Sequence, residues 1–313
     1  MIIVSYNEKE YLSRAIKSCL CQKYENKEII VGDDGSNDGS IDLIRAYSNV
    51  NYFVMKRTQE KTDIIPSIRV SNVIKNALDI AKGKYVILLS GDDYFCDDDI
   101  LENAVEFLEN NEKYSAYVYS FKYVNDRKDE EIVVSKRYAP WLYWSGDYIH
   151  ISCFVFRKMK SKELLKLFCD DVGLEFVLAT TGNWKYDEKV VFAYYQRENS
   201  IMHKADDIEL ALLESLLYQD IKCWKGKTSI LLKLASFSRL YSRVIFLRRN
   251  HIRIDSKYNK YKRKFLQLNG RKLIRQNTAI TWIEVCWLSF LQLIFFKGLR
   301  FLSYIHKHVN KNK

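Results

Sequence analysis

Short apolar runs alternate with longer stretches of helical periodicity through the first two thirds of the chain. The runs lie at residues 2–4, 28–32, 52–55 and 85–89. Each is too short for a helix and is followed by turn-forming or polar residues, so each reads as a strand. Between them, residues 11–20, 41–47 and 68–81 carry apolar side chains at helical spacing. In the last stretch Ile68, Val70, Val73, Ile74, Ala77, Leu78 and Ala81 form the stripe, and Gly83 predicts its end. Residues 97–111 open with three Asp, which suit the positive end of a helix. Residues 116–124 and 188–195 read as further strands. This alternation predicts an α/β fold, a mostly parallel sheet flanked by helices. Ligands of such sheets sit beyond the carboxyl ends of the strands. From about residue 206 the pattern is helical, with no repeat and no Pro/Gly-rich linker. The expected division is an α/β domain over 1–205 and a basic helical region over 206–313.

Charge sharpens that division. The net charge of +11 hides a split: residues 1–220 hold 28 Lys/Arg and 37 Asp/Glu, whereas 221–313 hold 22 and 2. An acidic body with a basic end predicts that the end meets an anionic surface. The seven Cys form no C-x-x-C pair and read as reduced thiols of a cytoplasmic protein. The opening MIIVSYNEKE lacks the basic and apolar regions of a secretory signal.

Two acidic clusters stand at predicted strand ends. In VGDDGSNDGS, residues 31–40, Asp33 and Asp34 follow an apolar run directly. A calcium loop starting at Asp34 would place Arg45 where a bidentate Glu is needed, so that reading fails. A strand-to-helix turn with Ser36 or Asp38 as cap accounts for Gly35 to Gly39. It leaves the adjacent carboxylates unexplained, whereas a carboxylate there can accept the N3–H of a uracil-type base. In KGKYVILLSGDDYF, residues 82–95, a buried-type strand runs into Ser90-Gly91-Asp92-Asp93. Gly91 permits a tight turn and a close ligand. Asp92 and Asp93 are hard oxygen donors suited to Mg²⁺ or Mn²⁺ beside a phosphate, on the same edge as Asp33 and Asp34.

With SYNEKEYLSRAIKSCLCQKY at 5–24, these motifs resemble the family 2 glycosyltransferases, which have the nucleotide-diphospho-sugar (GT-A) fold. The resemblance covers about residues 1–200. It implies transfer of a sugar from a nucleotide donor with inversion at the anomeric carbon, and the carboxylate placed to accept from a uracil-type base makes a uridine-linked donor the expectation. By the same resemblance Tyr6 stacks on the nucleobase and Asn7 lies beside it. Asp34 accepts from the base with Asp33 in support, and Arg69 reaches the diphosphate or the sugar. Asp92 matches the last Asp of a metal-binding D-x-D. Ser90 stands where that motif has its first Asp, and Asp93 is the candidate to compensate.

An inverting displacement needs a carboxylate to take the acceptor hydroxyl's proton. LFCDDVGLEFVLATTGNWKY, 167–186, offers Asp170-Asp171 before a helix running to about residue 181. The family carries a Glu-Asp pair in this region, which makes Asp171 the candidate base and puts Asp170 at the Glu position. Asp is also a favoured helix cap. His150 and His203 are candidates for the acceptor cleft and the phosphates, though a packed or surface imidazole is the plainer reading of both.

In the basic region, residues 228–249 place Ile230, Leu234, Phe237, Tyr241 and Val244 on one stripe, and 280–305 are strongly apolar. The longest uncharged run there, 285–296, falls short of the roughly 20 residues a bilayer requires. Trp282, Trp287 and the flanking cations suit an interfacial helix. The alternative is a helical subdomain packed on the catalytic body. The expected partners are a nucleotide-sugar, a glycan or lipid-linked saccharide acceptor of a surface polysaccharide, and an anionic membrane surface. Nucleic acid is not expected, because no RNP-type aromatic motif or zinc-ligand spacing occurs. A sugar nucleotidyltransferase would show a Gly-rich basic loop after the first strand, and SYNEKEYL has no Gly.

Overall fold

The computed structural model describes residues 1–57, 66–125, 130–135, 149–196 and 207–226. The apolar runs form four parallel strands of one sheet, β1 (Ile2–Ser5), β2 (Ile30–Asp33), β3 (Asn51–Val54) and β5 (Leu88–Ser90), in the order β3-β2-β1-β5. The central strands are sequestered, with Ile2, Ile3, Ile30, Val31, Leu88 and Leu89 all buried. The outer strand β3 is mostly exposed, so the run at 52–55 is an edge rather than a buried strand.

Helix α1 (Lys9–Leu20) buries Leu12, Ala15, Ile16 and Cys19, one stripe at helical spacing. Each large aliphatic side chain so buried contributes about 1.5–3 kcal/mol. A short α2 (Ser40–Arg45) follows β2, and α3 (Pro66–Ile80) packs on β1 and β2 through Ile68, Val73, Ile74, Ala77 and Leu78. Gly83 is not the stop of α3, which ends before it; the Gly83 N–H is taken by Glu28 Oε1 at 2.7 Å.

The run at 85–89 is not one strand. Tyr85–Val86 (β4) belongs to a second sheet, and after Ile87 the chain enters the first as β5. The second sheet is built from β4 with β6 (Tyr94–Phe95), β7 (Tyr114–Val124), β9 (Phe154–Arg157) and β10 (Asn183–Tyr195), in the order β4-β9-β7-β10-β6, and β8 (Glu130–Val133) pairs with the far end of β7. Among the described residues β7 and β10 are its one parallel pair. Its core is aromatic: Tyr119, Phe121, Phe154, Phe156 and Phe192 are fully enclosed.

Helix α4 (Ile100–Asn110) starts three residues later than its acids suggested. Asp97 Oδ1 instead accepts the Asp99 N–H at 2.9 Å, and the Gln22 side chain accepts the first helical N–H, that of Ile100, at 3.3 Å. Helix α5 (Asp171–Thr181) begins where the Asp170-Asp171 pair predicted. Helix α6 (Asp207–Cys223) opens the C-terminal region. Its last residues, from Leu217, belong to the same compact unit as the two sheets. The rest of the basic region, including both apolar stripes, lies outside the described residues, as does His203. Among the described residues no helix is long and apolar enough to cross a membrane.

Candidate active site

The register of the first sheet sets the edge. Ser5 pairs with Asp33 and Val4 with Ser90, so β1, β2 and β5 end together. Two further hydrogen bonds fasten the backbone just past these ends: Asp34 N donates to Ser5 O at 2.9 Å and Gly91 N to Val4 O at 2.8 Å. The segments beginning at Tyr6, Asp34 and Gly91 therefore leave the sheet side by side.

Asp33 turns inward. Its carboxylate accepts from Ser36 N at 2.7 Å and Ser36 Oγ at 2.6 Å, closing the turn. Asn7, with φ 54°, accepts from Asn37 N at 2.9 Å while its own N–H donates to Ser36 Oγ at 2.8 Å. Asn is among the few non-glycine residues that visit this backbone region readily. The turn and the loop after β1 thus form one hydrogen-bonded body. Asp38 caps Ser40 N at 2.9 Å and also accepts from Lys9 N at 3.0 Å.

Asp34 is held by two arginines. Arg69, from the first turns of α3, gives Nε to Oδ2 at 2.6 Å and Nη2 to Oδ1. Arg57, just past β3, gives Nη2 to Oδ2 and Nε to the Asp34 carbonyl, both at 2.9 Å. The Arg57 guanidinium also lies 3.5 Å from the centre of the Tyr6 ring. Tyr6, Arg57, Asp34 and Arg69 are one contiguous group. Sequence reasoning found three of them and missed Arg57, whose signal was its place beyond a strand that ends on this edge.

The Ser90–Asp93 turn is fastened from two sides. Arg14 on α1 donates Nη2 to the Asp92 carbonyl at 2.9 Å. Its guanidinium rests over Tyr94 at 4.3 Å and Tyr195 at 4.7 Å. Asp93 is fully enclosed, and its Oδ1 accepts the Tyr195 N–H at 2.8 Å. Gly91 has a packing reason: a Cβ there would sit 2.3 Å from Glu8 Oε2. Neither Arg14 nor Glu8 carried a signal beyond membership of the opening motif.

The third acidic pair divides its labour. Asp170 caps α5, accepting Gly173 N at 3.1 Å, and Asp171 Oδ1 accepts Val172 N at 2.8 Å. Burial pushes the Tyr194 phenol up to about 12, and the carboxylates of Asp93, Asp92 and Asp171 add to the shift. Helix α3 connects Asp34 to the backbone just before the Asp170-Asp171 pair, because Arg69 holds Asp34 while Ser71 Oγ accepts the Cys169 N–H at 2.8 Å. His150 is half-buried, and its Nδ1 accepts the Ser152 N–H at 3.2 Å. It stacks on Phe192 at 4.8 Å, and burial drops its pKa to about 3.

No group of three His, Cys, Asp or Glu among the described residues could hold a metal ion alone. The Asp92 carboxylate is a hard oxygen donor of the kind Mg²⁺ takes alongside phosphate oxygens and water. A cavity of about 590 Å³ at the amino ends of β1 and β2, lined by Met1, Glu28, Asn51 and Lys84, contains none of these acids.

The family model described as "Glycosyl transferase family 2" matches residues 1–165, more than half of the chain. The chain belongs to glycosyl transferase family 2. Among curated relatives of this family 2 chain, the Escherichia coli protein named UDP-Glc:alpha-D-GlcNAc-diphosphoundecaprenol beta-1,3-glucosyltransferase WfaP is 32% identical over 117 residues, 37% of this chain and 43% of that protein. The matched stretch spans about two fifths of the length of the curated relatives, 40–43% for the first three. Among solved structures, Staphylococcus aureus TarS 1–349 in complex with UDP-GlcNAc superposes with a TM-score of 0.54 at 15% identity, covering 88% of this chain and 80% of that one. The mannosyltransferase PcManGT from Pyrobaculum calidifontis, in complex with GDP-Man and Mn²⁺, gives 0.50 at 15%, covering 97% and 82%. The fold of the family 2 chain is thus the GT-A fold, as its motifs implied.

Proposed function

We propose that this chain transfers a hexosyl unit from a uridine diphosphate sugar to a lipid-linked glycan in surface polysaccharide assembly, with inversion at the anomeric carbon. The observation that carries the reading is the arginine-held carboxylate of Asp34 beside the Ser90–Asp93 turn at the shared ends of β1, β2 and β5, with α3 tying Asp34, through Arg69 and Ser71, to the backbone just before the Asp170-Asp171 pair. Family membership and the WfaP relative, whose name specifies a UDP-glucose donor and a diphosphoundecaprenol-linked sugar, support it.

In this reading the nucleobase stacks on Tyr6 beside Asn7. The Asp34 carboxylate receives three N–H contacts from Arg57 and Arg69, against about four lone-pair sites on a carboxylate. Oδ1 thus retains capacity for a base N–H. Arg69 acts by holding Asp34, and Asp33 by holding the turn. Asp92 would hold a Mn²⁺ or Mg²⁺ ion, and Asp93 anchors the Asp92 turn to β10. When bound, the cation offsets the charge that develops on the leaving diphosphate. Asp171 accepts the proton of the acceptor hydroxyl as its oxygen bonds to the anomeric carbon and the bond to the diphosphate breaks. Asp170 fixes the helix on which Asp171 sits. A lipid-borne acceptor requires a membrane surface, and the excess of 22 Lys/Arg over 2 acids in 221–313 supplies the attraction for an anionic one.

The test is a calorimetric titration of UDP-, GDP- and dTDP-sugars with and without Mn²⁺, followed by product analysis with a diphospholipid-linked sugar. A uridine donor binds best and needs Mn²⁺, Asp92→Ala loses that dependence, and Asp171→Asn binds donor without transfer. Donor binding by the wild type that ignores both Mn²⁺ and the Asp92 change refutes the metal assignment. Full transfer by Asp171→Asn refutes the base.

A further inference from the structure

Residues 166–170 approach α5 without regular structure, and they lie beyond the 165 residues that match the family. Four consecutive backbone N–H groups of this stretch are nevertheless captured by side chains from distant elements. The Asp220 carboxylate, buried on the last turns of α6, takes three: Oδ1 accepts from Lys166 N at 3.0 Å, and Oδ2 from Leu167 N at 2.6 Å and Phe168 N at 3.0 Å. Ser71 Oγ on α3 takes the fourth, that of Cys169. Lys75, one turn further along α3, donates Nζ to the Lys166 carbonyl at 2.5 Å.

The stretch in turn fixes α5. A Cβ on Gly173 would lie 2.5 Å from the Phe168 carbonyl oxygen, so the first turn of α5 rests directly on the backbone that Asp220 holds. Asp171 is in that turn. Hydrogen bonds to a charged acceptor are roughly twice as strong as neutral ones. Three of them on consecutive amides fix the stretch as a rigid seat.

We propose that Asp220 is a positioning residue for the general base, acting through 166–168 and the first turn of α5 to set where the Asp171 carboxylate stands. This rests on the assignment of Asp171 as the base. It brings α6 into the catalytic apparatus, although α6 supplies no group that touches substrate. A displacement of about 1 Å in a catalytic group can cost on the order of 10²-fold in rate.

The experiment uses the full chain as Asp220→Ala, Asp220→Asn, Asp220→Glu and Asp171→Asn. Hydrogen exchange on the free protein is read first. Asp220→Ala loses protection at 166–168 and in the first turn of α5 and keeps it in β1 and β2. Kinetics are then measured with the donor that binds the wild type best. Asp220→Ala lowers kcat by about 10- to 100-fold with the donor Kd within twofold of wild type. The pH profile of kcat moves, and Asp220→Glu or Asp220→Asn recovers part of the rate. Unchanged protection at 166–168, or a wild-type kcat and pH profile in Asp220→Ala while Asp171→Asn is inactive, overturns the positioning role alone. A parallel fall of kcat and donor affinity, with protection lost in β1 and β2, overturns it in favour of a general structural role. Full turnover by Asp171→Asn overturns the base assignment, and the positioning role with it.

Discussion

Asp34→Asn keeps the side chain's shape and removes its charge, breaking a buried ion pair from one side. The two arms of the clamp differ. The Arg57 side chain is 40% exposed, so its ion pair with Asp34 is screened and contributes about 0–1 kcal/mol. The Arg69 side chain is 7% exposed and that of Asp34 10%. Removing one partner of such a pair costs about 3–5 kcal/mol, because the other charge is left buried. The asparagine amide oxygen and the Asp34 carbonyl still accept hydrogen bonds, which puts the expected loss near the lower end, about 3 kcal/mol. For a folded unit of this size that is a fall of roughly 6–12 °C in Tm. Arg69→Met should cost a similar amount, since it leaves the carboxylate with the exposed arm alone. The double variant removes both charges, and its loss should be smaller than the sum of the singles by about 2 kcal/mol or more. Urea denaturation of the four proteins at one pH measures this coupling. Losses that add to within about 0.5 kcal/mol would show that Asp34 and Arg69 do not depend on one another, and the clamp would have to be abandoned.

Two other perturbations probe the fold around the site. Burial holds His150 near 3, below its ordinary 6.5, so it stays neutral in the fold and charges in the unfolded chain. Its depressed value makes stability fall as pH drops from about 6.5 toward 3, with a slope of up to about 1.4 kcal/mol per pH unit and a loss of about 2 kcal/mol by pH 5. His150→Phe should remove that slope in denaturation curves between pH 7.5 and 5, and a slope that persists would place its origin elsewhere. Gly91→Ala drives a methyl group to 2.3 Å from Glu8 Oε2 and should destabilise by about 1–3 kcal/mol. It should also weaken any Mn²⁺-dependent donor binding, since Asp92 is the next residue. An unaltered melting temperature would mean that Glu8 has room to yield.

How much of this was legible in the sequence depends on the range of the interactions. The strands β1, β2 and β5 and the stripes of α1 and α3 announce themselves because each buries one continuous run or one face. The acids at 33–34, 92–93 and 170–171 are visible because like charges beside an apolar strand or a helix start call for a reason. Their division into gripping and bracing residues is not visible. Asp33 and Ser36, or Asp93 and Tyr195 N, are pairs that only folding brings together. The switch of sheet at Ile87 leaves no trace in a run where every residue is apolar on either side. Arg57 reads as a loop cation and Asp220 as one acid of an ordinary helix, because their partners lie 23 and more than 50 residues away. The late start of α4 shows the same limit at short range. Asp97 could serve a helix or a preceding turn, and Gln22, from α1's end, decides between them.

Strand β10 marks a mismatch between how the family is recognised and how the molecule is assembled. The match stops at residue 165, whereas β10, at 183–195, sits between β6 and β7 in the interior of the second sheet. A chain cut at 165 would strip β7 along its parallel edge and, by removing Phe192, open Phe121 to water. Long unpaired apolar edges recruit other chains. The portion that carries the signature is therefore not a portable module, and fusions or truncations drawn at its border should yield aggregates rather than a smaller enzyme.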